Sequence, residues 1–424
     1  MSGAAPSDAA AATGPAPAAG AGRPPAPGPG GLSAAIVRRQ TVPIRVGSVV
    51  IGGAAPISVQ TMTKTPTEDV DGTVEQIARA ADAGADVIRV TCDTREAGEK
   101  LREIVRRSRL PVIADIHYDA PLALMAIDAG VHCLRLNPGN IRQPEKVREI
   151  AARCQAQGIP IRVGVNAGSL PDRGKLERGR GGGGPEEVAA RMVAAARGHI
   201  AILEALDFRD IKVSLKASDV LTNLAANRGF AALGNRYPLH LGLTEAGPSS
   251  TGAIKSAMGI GILLAEGIGD TIRVSLVDEP EEEVRVGRQI LANLQTRPSG
   301  PNLVACPTCG RLEINMVPMV ARVEAALQRV RRPITVSVMG CVVNGPGEGM
   351  HADLGIAGGR QKGILYARGR VIATMPEDRL VDTLVRELER IAAEDQRLLA
   401  AGEALPEGIP EAALAALAAA TDAS

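Results

Sequence analysis

The sequence predicts an α/β chain, a (β/α)8 barrel of the TIM type over residues 41–295 followed by a smaller α+β domain over 303–395. Three observations carry this. Apolar, strand-like runs recur eight times between residues 57 and 276, segments of helical periodicity separate them, and beyond a Pro- and Gly-bearing linker the pattern changes and three cysteines appear. Strands alternating with helices pair in parallel, and eight near-equal units close into a barrel more naturally than they spread into an open doubly wound sheet.

Residues 1–33 are Ala, Pro and Gly with almost no large apolar side chain. They bury too little surface to offset the entropy of ordering and read as a disordered tail. One arginine and two serines before Ser33 make a poor transit peptide. A short strand pair is expected over 41–51. The eight runs then fall at 57–60, 87–91, 112–116, 133–137, 161–165, 211–215, 239–243 and 272–276. Between them, sets such as Val74, Ile77, Ala80 and Ala81 recur at helical spacing, and Gly84 and Gly130 follow alanine as helix ends do. A closing helix over 281–294 leads to the linker, 296–302.

Successive strand side chains point to opposite faces, and in a barrel one face meets the helices while the other fills the lumen. Ile88 and Val90 oppose Arg89. Leu134 and Leu136 oppose Arg135 and Asn137, and Ile161, Val163 and Val165 oppose Arg162, Gly164 and Asn166. The split recurs as Val213 and Leu215 against Ser214 and Lys216, as Ile272, Val274 and Leu276 against Arg273 and Ser275, and as Ala114 and Ile116 against Asp115 and His117. The lumen is therefore basic toward the strand C-terminal ends, where this fold gathers binding and catalytic groups. Unpartnered guanidinium groups are costly to bury, so an anion belongs among them, and bidentate arginine suits phosphate. A small diphosphate is the expected guest. The bland alternative is an internal ion-pair network using Asp93, Asp115 and Glu245. Glu245, at the end of the seventh strand, is by residue type more often such a partner than a catalyst, yet a dehydration needs a general acid near the departing oxygen. The Gly-rich run 179–184 lacks the Lys-Ser/Thr continuation of a phosphate loop and reads as a flexible connection. His117 falls near the pocket, whereas His132, His199 and His240 read as satisfied structural side chains.

In the second domain a strand at 303–305 feeds Cys306-Pro-Thr-Cys309-Gly-Arg311, a helix spans 312–330, and a strand at 334–339 delivers Gly340-Cys341-Val-Val-Asn344-Gly-Pro-Gly-Glu348. Strands at 353–357, 364–366 and 371–373 follow, with Gly369 at a hairpin turn, then an amphipathic helix over 377–393 and an Ala-rich tail over 396–424. Three thiolates on two turns read as a metal site. The spacing admits a structural zinc completed by His351, and equally an iron-sulfur cluster with Glu348 as a weak fourth ligand. Cys92, Cys133 and Cys154 are scattered in apolar or helical contexts, unlike a disulfide framework, which suits a reducing cytoplasm.

Composition excludes other classes. The 48 basic and 47 acidic residues leave a net charge of +1, and three tyrosines and two phenylalanines are the only aromatics, so neither a nucleic-acid field nor base-stacking platforms are present. No apolar run reaches the length of a membrane-spanning helix.

Seven stretches together carry a family resemblance: Val59-Gln60-Thr-Met-Thr, Leu134-Arg135-Leu-Asn137-Pro-Gly-Asn140, Val213-Ser-Leu-Lys216-Ala-Ser-Asp219, His240-Leu-Gly-Leu-Thr244-Glu245-Ala-Gly, Gly267-Ile-Gly-Asp-Thr-Ile-Arg273-Val-Ser275, and the two cysteine motifs. Over about 41–393 the chain resembles the bacterial 4-hydroxy-3-methylbut-2-en-1-yl diphosphate synthases of the non-mevalonate isoprenoid pathway, in their two-domain form. The resemblance implies reductive ring opening of 2-C-methyl-D-erythritol 2,4-cyclodiphosphate on a 4Fe-4S cluster fed by ferredoxin or flavodoxin. It implies that Cys306, Cys309, Cys341 and Glu348 hold the cluster. It also implies that Arg89, Arg135, Arg162, Asn166, Lys216, Arg273 and Ser275 hold the diphosphate, with Thr244, Glu245 and Asn344 beside the reacting carbons. Lys64, where the family usually has Asn, the Gly-rich loop over 170–185 and the N-terminal tail are departures. A head-to-tail homodimer with shared sites is expected, because a closing helix of ~21 Å returns the chain to the barrel floor and the linker reaches at most ~25 Å from there.

Overall fold

The computed structural model describes residues 36–422, apart from 117–118, 142, 171–183, 295, 298–299, 308, 310–311, 313, 342–350 and 360–361. The expected N-terminal tail, most of the Gly-rich loop, His117, Asn344 and Glu348 lie outside the described residues.

An antiparallel hairpin, β1 (Ile44–Val46) and β2 (Val49–Ile51), comes first. Its Ile44, Val46 and Ile51 pack on Val87, Ile113 and Cys133, the first lumen-facing positions of their strands, and so plug the barrel floor. The barrel strands are β3 (Ser58–Met62), β4 (Val87–Thr91), β5 (Val112–Asp115), β6 (Cys133–Arg135), β7 (Ile161–Asn166), β8 (Ile211–Lys216), β9 (His240–Leu241) and β10 (Thr271–Ile272). All pair in parallel in the order β8-β7-β6-β5-β4-β3-β10-β9, and a bridge from Val213 to Leu239 brings β8 to β9. The barrel is thus nearly closed, with a strand at each of the eight expected runs. β9 is shorter than its run because Pro238 has no N–H to donate and Gly242 follows directly.

Around it lie α1 (Val70–Asp82), α2 (Arg95–Arg107), α3 (Ala120–Asp128), α4 (Pro144–Gln157), α5 (Pro185–Glu204), α6 (Val220–Ala231), α7 (Ser249–Ala265) and α8 (Pro280–Asn293). Local chemistry sets their starts. Asp69, Thr94, Asp119 and Asp219 accept the N–H of Gly72, Ala97, Leu122 and Thr222 at 3.0, 3.0, 3.3 and 2.8 Å, each supplying one orphan donor of a first turn with a partner. Helices α4, α5 and α8 begin with proline, whose fixed φ suits the first turn. Ile77, Leu101, Ile127, Ile150 and Leu263 meet the outward strand residues Ile88, Val90, Leu134, Val163 and Val213 in one continuous core. That ring takes up the apolar side chains and leaves the lumen to the polar ones.

The chain leaves α8 at the barrel floor. Arg297 donates to Asp86 at 2.8 and 3.0 Å and to the Ile57 carbonyl at 3.1 Å, both just before the starts of β4 and β3. The second unit comprises β11 (Asn302–Ala305), α9 (Met316–Leu327), β12 (Thr335–Met339), β13 (Leu354–Ala357), β14 (Lys362–Ala367), β15 (Arg370–Pro376), α10 (Glu377–Ala400) and α11 (Glu411–Asp422). β11, β12 and β13 are parallel, and β14 and β15 continue the sheet antiparallel. Its core is separate from that of the barrel. The expected tail from 396 is corrected here: α10 runs on to Ala400, and α11 packs Leu414 and Leu417, with Ile409 before it, into that core. Alanine favours helix but gives little periodic signal, which concealed this. Among the described residues no helix is long and apolar enough to cross a membrane.

Candidate active site

Arg89, Arg135, Arg162, Lys216 and Arg273 converge on one cavity at the C-terminal ends of the strands, with Asn166 and Thr244 in its wall. Two lumen glycines make room for them. A Cβ on Gly164 would sit 3.1 Å from Arg135 Nε and 3.0 Å from Ser214 Oγ, and one on Gly242 would sit 2.9 Å from Lys216 Nζ and 2.4 Å from the Arg273 carbonyl oxygen. Asn137 locks β6 to β7, donating to the Gly164 carbonyl at 2.7 Å and accepting from the Gly164 N–H at 2.9 Å.

The ion-pair alternative is realised in part. Asp115 lies 3.8 Å from Arg89 and 3.6 Å from Arg135. Glu283, on α8 and 1% exposed, lies 3.2 Å from Arg273. Asp93 and Glu245 are exposed. Arg162, Lys216 and Lys212 have no carboxylate within ion-pair distance among the described residues, so six cations face two carboxylates. The electrostatics register this excess. Burial pushes Arg89 down to about 10 even with Asp115 opposing it. Burial, then the neighbouring arginines, pushes Arg162 and Lys216 well below their ordinary values. Lys212 is pushed down to about 8, again by burial first. An anion in this cavity would reverse that penalty.

Sequence alternation missed Lys212 and Glu283. Lys212 sits two residues before Ser214 on the same strand face, wholly buried with Nζ unpartnered. Extending the alternation one step toward the floor would have found it. Glu283 stands on a helix and carries no strand-based signal. His240 was expected to be satisfied, but it is fully buried in the lumen with neither ring nitrogen partnered among the described residues, and burial together with Lys216 and Arg162 holds it neutral. His132 and His199 do accept backbone N–H groups, each at 3.0 Å. Ser275 is half-buried and is not brought into the cavity wall; two residues on, Val277 N–H donates to the Gly247 carbonyl at 3.1 Å. Glu245 follows the wall residue Thr244 with φ +54, a left-handed backbone that non-glycine residues adopt at a cost.

Cys306 and Cys341 lie just beyond the C-terminal ends of two strands of the second sheet. β11 and β12 are paired neighbours, and Cys306 N–H donates to the Val338 carbonyl at 3.0 Å, so Cys306 and Cys341 leave adjacent strand ends. Leu312 Cδ1 lies 2.9 Å from where a Cβ on Gly340 would be, so the two motif segments are packed together. Cys309 is exposed, Cys306 half-buried and Cys341 buried. Among the described residues no group of three or more Cys, His, Asp or Glu is already gathered for a metal, which favours neither the zinc set with His351 nor the cluster set.

Comparison with known proteins places these two units in one family. Residues 41–288 match the GcpE TIM-barrel domain and 302–390 match the GcpE protein C-terminal domain. The chain is 50% identical over 353 residues, 83% of its length and 99% of the relative's, to a protein of Dehalococcoides mccartyi named 4-hydroxy-3-methylbut-2-en-1-yl diphosphate synthase (flavodoxin). Proteins of the same name from Magnetococcus marinus and Thermodesulfovibrio yellowstonii are 48% and 50% identical, over 88% and 84% of this chain and 98% and 100% of theirs.

Proposed function

The chain belongs to the GcpE family, and from that premise we propose how it opens 2-C-methyl-D-erythritol 2,4-cyclodiphosphate reductively to 4-hydroxy-3-methylbut-2-enyl diphosphate. The observation that carries the reading is the surplus of buried cations in the lumen, a site that is costly empty and matched by a diphosphate. Arg89, Arg135, Arg162, Lys216 and Arg273 grip the phosphate oxygens, and Asn166 orients them from the wall. Thr244 and Asn344 flank the carbon skeleton. Glu245, at the rim, delivers a proton as the hydroxyl departs as water. Its strained backbone fits a residue placed for chemistry, since strain of this kind concentrates at functional sites.

Cys306, Cys309 and Cys341, with Glu348 as an exchangeable fourth ligand, would hold a 4Fe-4S cluster. Two cysteine-bearing segments packed together beyond neighbouring strand ends suit that donor set. When bound, such a cluster supplies electrons one at a time at low potential and an iron not closed by thiolate. The names of the relatives make flavodoxin the expected donor, with ferredoxin the alternative. A reducing cytoplasm suits the buried, unbridged Cys92, Cys133 and Cys154.

Among the described residues the cavity wall contains only barrel residues, so the cluster domain must come to it, and reach favours another chain's. Arg297 is pinned at the floor, and the five steps to Asn302 span at most ~18 Å. A six-residue strand alone covers ~17 Å from floor to mouth, and the path around the helices lengthens the route beyond that reach. A head-to-tail homodimer with each site shared between chains meets this constraint.

The test is anaerobic iron, acid-labile sulfide and zinc analysis. About four irons and four sulfides per chain are expected; stoichiometric zinc without sulfide would overturn the reading.

A further inference from the structure

Glu283 stands outside every motif considered above, yet it engages Thr61, Leu276, Arg273 and Lys64 beside the cavity. It comes from the first turn of α8 and is 1% exposed. Its Oε1 accepts the Leu276 N–H at 3.1 Å and its Oε2 accepts the Thr61 hydroxyl at 2.7 Å, so hydrogen bonds from β3 and from the segment that follows β10 fix the carboxylate's plane. Against that fixed plane lies Arg273. Nε approaches Oε2 at 3.4 Å, and Nη2 approaches Oε1 at 3.2 Å and Oε2 at 3.3 Å. The contact uses one edge of the guanidinium, and Nη1 carries none of it. The same carboxylate has a second cation. Lys64 Nζ lies 3.9 Å from Oε1 and donates to the Leu276 carbonyl at 3.1 Å, while its side chain remains 36% exposed at the rim.

We infer that Glu283 is a positioning residue for the diphosphate: it holds Arg273 by one guanidinium edge so that the other edge serves the cavity, and it keeps Lys64 at the rim as a further anion-facing cation. The inference rests on the diphosphate reading given above. An arginine whose orientation is settled before ligand arrives loses less side-chain freedom on binding, and part of the affinity comes from that. Lys64 carries a full positive charge to a place from which an incoming dianion is attracted, with most of its neutralising partner shared with Arg273.

The experiment is a double-mutant cycle in the assembled holoenzyme, reading KM and kcat for the cyclic diphosphate with reduced flavodoxin, alongside the visible spectrum. Glu283→Gln keeps the shape and the hydrogen bonding to Thr61 but removes the charge. It should raise KM about tenfold, the equivalent of about 1.4 kcal/mol, with kcat within about threefold and the cluster spectrum unchanged. In an Arg273→Met background the same change should raise KM less than about twofold, because coupled residues are not additive. Lys64→Gln should raise KM about threefold, more at low salt than at high salt. If Arg273→Met itself leaves KM unchanged, the diphosphate reading of that arginine fails. If Arg273→Met raises KM but Glu283→Gln does not, or raises it equally in both backgrounds, Glu283 is structural and this inference is overturned. Should Glu283→Gln fail to fold, Glu283→Asp, which retracts the carboxylate while keeping its charge, is read by the same criterion.

Discussion

Replacing Arg162 by Met should weaken substrate binding and stabilise the empty protein at the same time. Arg162 is 1% exposed, has no carboxylate within ion-pair distance among the described residues, and leaves Nε unpartnered. Losing one charged hydrogen bond to phosphate costs ~1.5–3 kcal/mol, which is about a 10- to 150-fold weaker Kd. In the empty protein the same change removes an unpaired buried charge and retains an apolar stem of similar length. Replacing buried charges with apolar groups of similar volume gains ~1–4 kcal/mol, and each kcal/mol moves Tm by about 2–4 °C in a domain of this size. Arg273→Met is the opposing control, since it strands Glu283, 1% exposed, without its main cation, and breaking such a pair costs ~3–5 kcal/mol. Anaerobic titration calorimetry and differential scanning calorimetry read the two effects. Unchanged affinity in Arg162→Met, or a Tm lower than that of Arg273→Met, would refute the claim that the lumen holds charge in waiting for an anion.

Three further outcomes are expected. Lys212, held at about 8 against an ordinary 10.5, is protonated in both folded and unfolded chains below pH 8, where the burial penalty is fully present. Between those values the unfolded chain holds the extra proton, so stability should rise with pH by up to ~1.4 kcal/mol per unit; urea midpoints of Lys212→Met should lack this rise, and an identical pH slope would contradict it. Glu348→Cys should assemble a cluster of normal iron content and lose turnover, because a fourth thiolate leaves no exchangeable ligand; full activity would remove Glu348 from that role. Mixing Cys341→Ser with Glu245→Gln under subunit exchange should restore a fraction of wild-type turnover, whereas verified heterodimers without activity would mean each chain closes over its own barrel.

The barrel was legible because period-2 strands and 3.6-period helices are local properties, and the polar partners on each strand named the lumen face without reference to neighbours. Arg89, Arg135, Arg162, Lys216 and Arg273 were found in that way, and they meet in one cavity. What alternation does not carry is pairing. Asp115 could be guessed as a partner from its strand, but Glu283 reaches Arg273 from a helix, and only the packing of α8 across β3 and β10 brings it there. Lys212 lies inside the run 211–215, but its faces were read only from Val213 onward. His240 was assigned by type, and its type says nothing about whether a buried ring finds partners. The C-terminal helix escaped because three large side chains, Ile409, Leu414 and Leu417, anchor it among alanines. Thiol spacing left zinc and cluster open, and the cluster assignment is a proposal that iron, sulfide and zinc analysis decides.

The most direct measurement is product analysis. The chain, purified and kept without oxygen, is given 2-C-methyl-D-erythritol 2,4-cyclodiphosphate and reduced flavodoxin, and the mixture is resolved by phosphorus NMR and mass spectrometry. Conversion to 4-hydroxy-3-methylbut-2-enyl diphosphate is expected, dependent on the reductant and abolished in Cys341→Ser. Intact cyclic diphosphate with an iron- and sulfide-replete enzyme and an active donor would contradict the account.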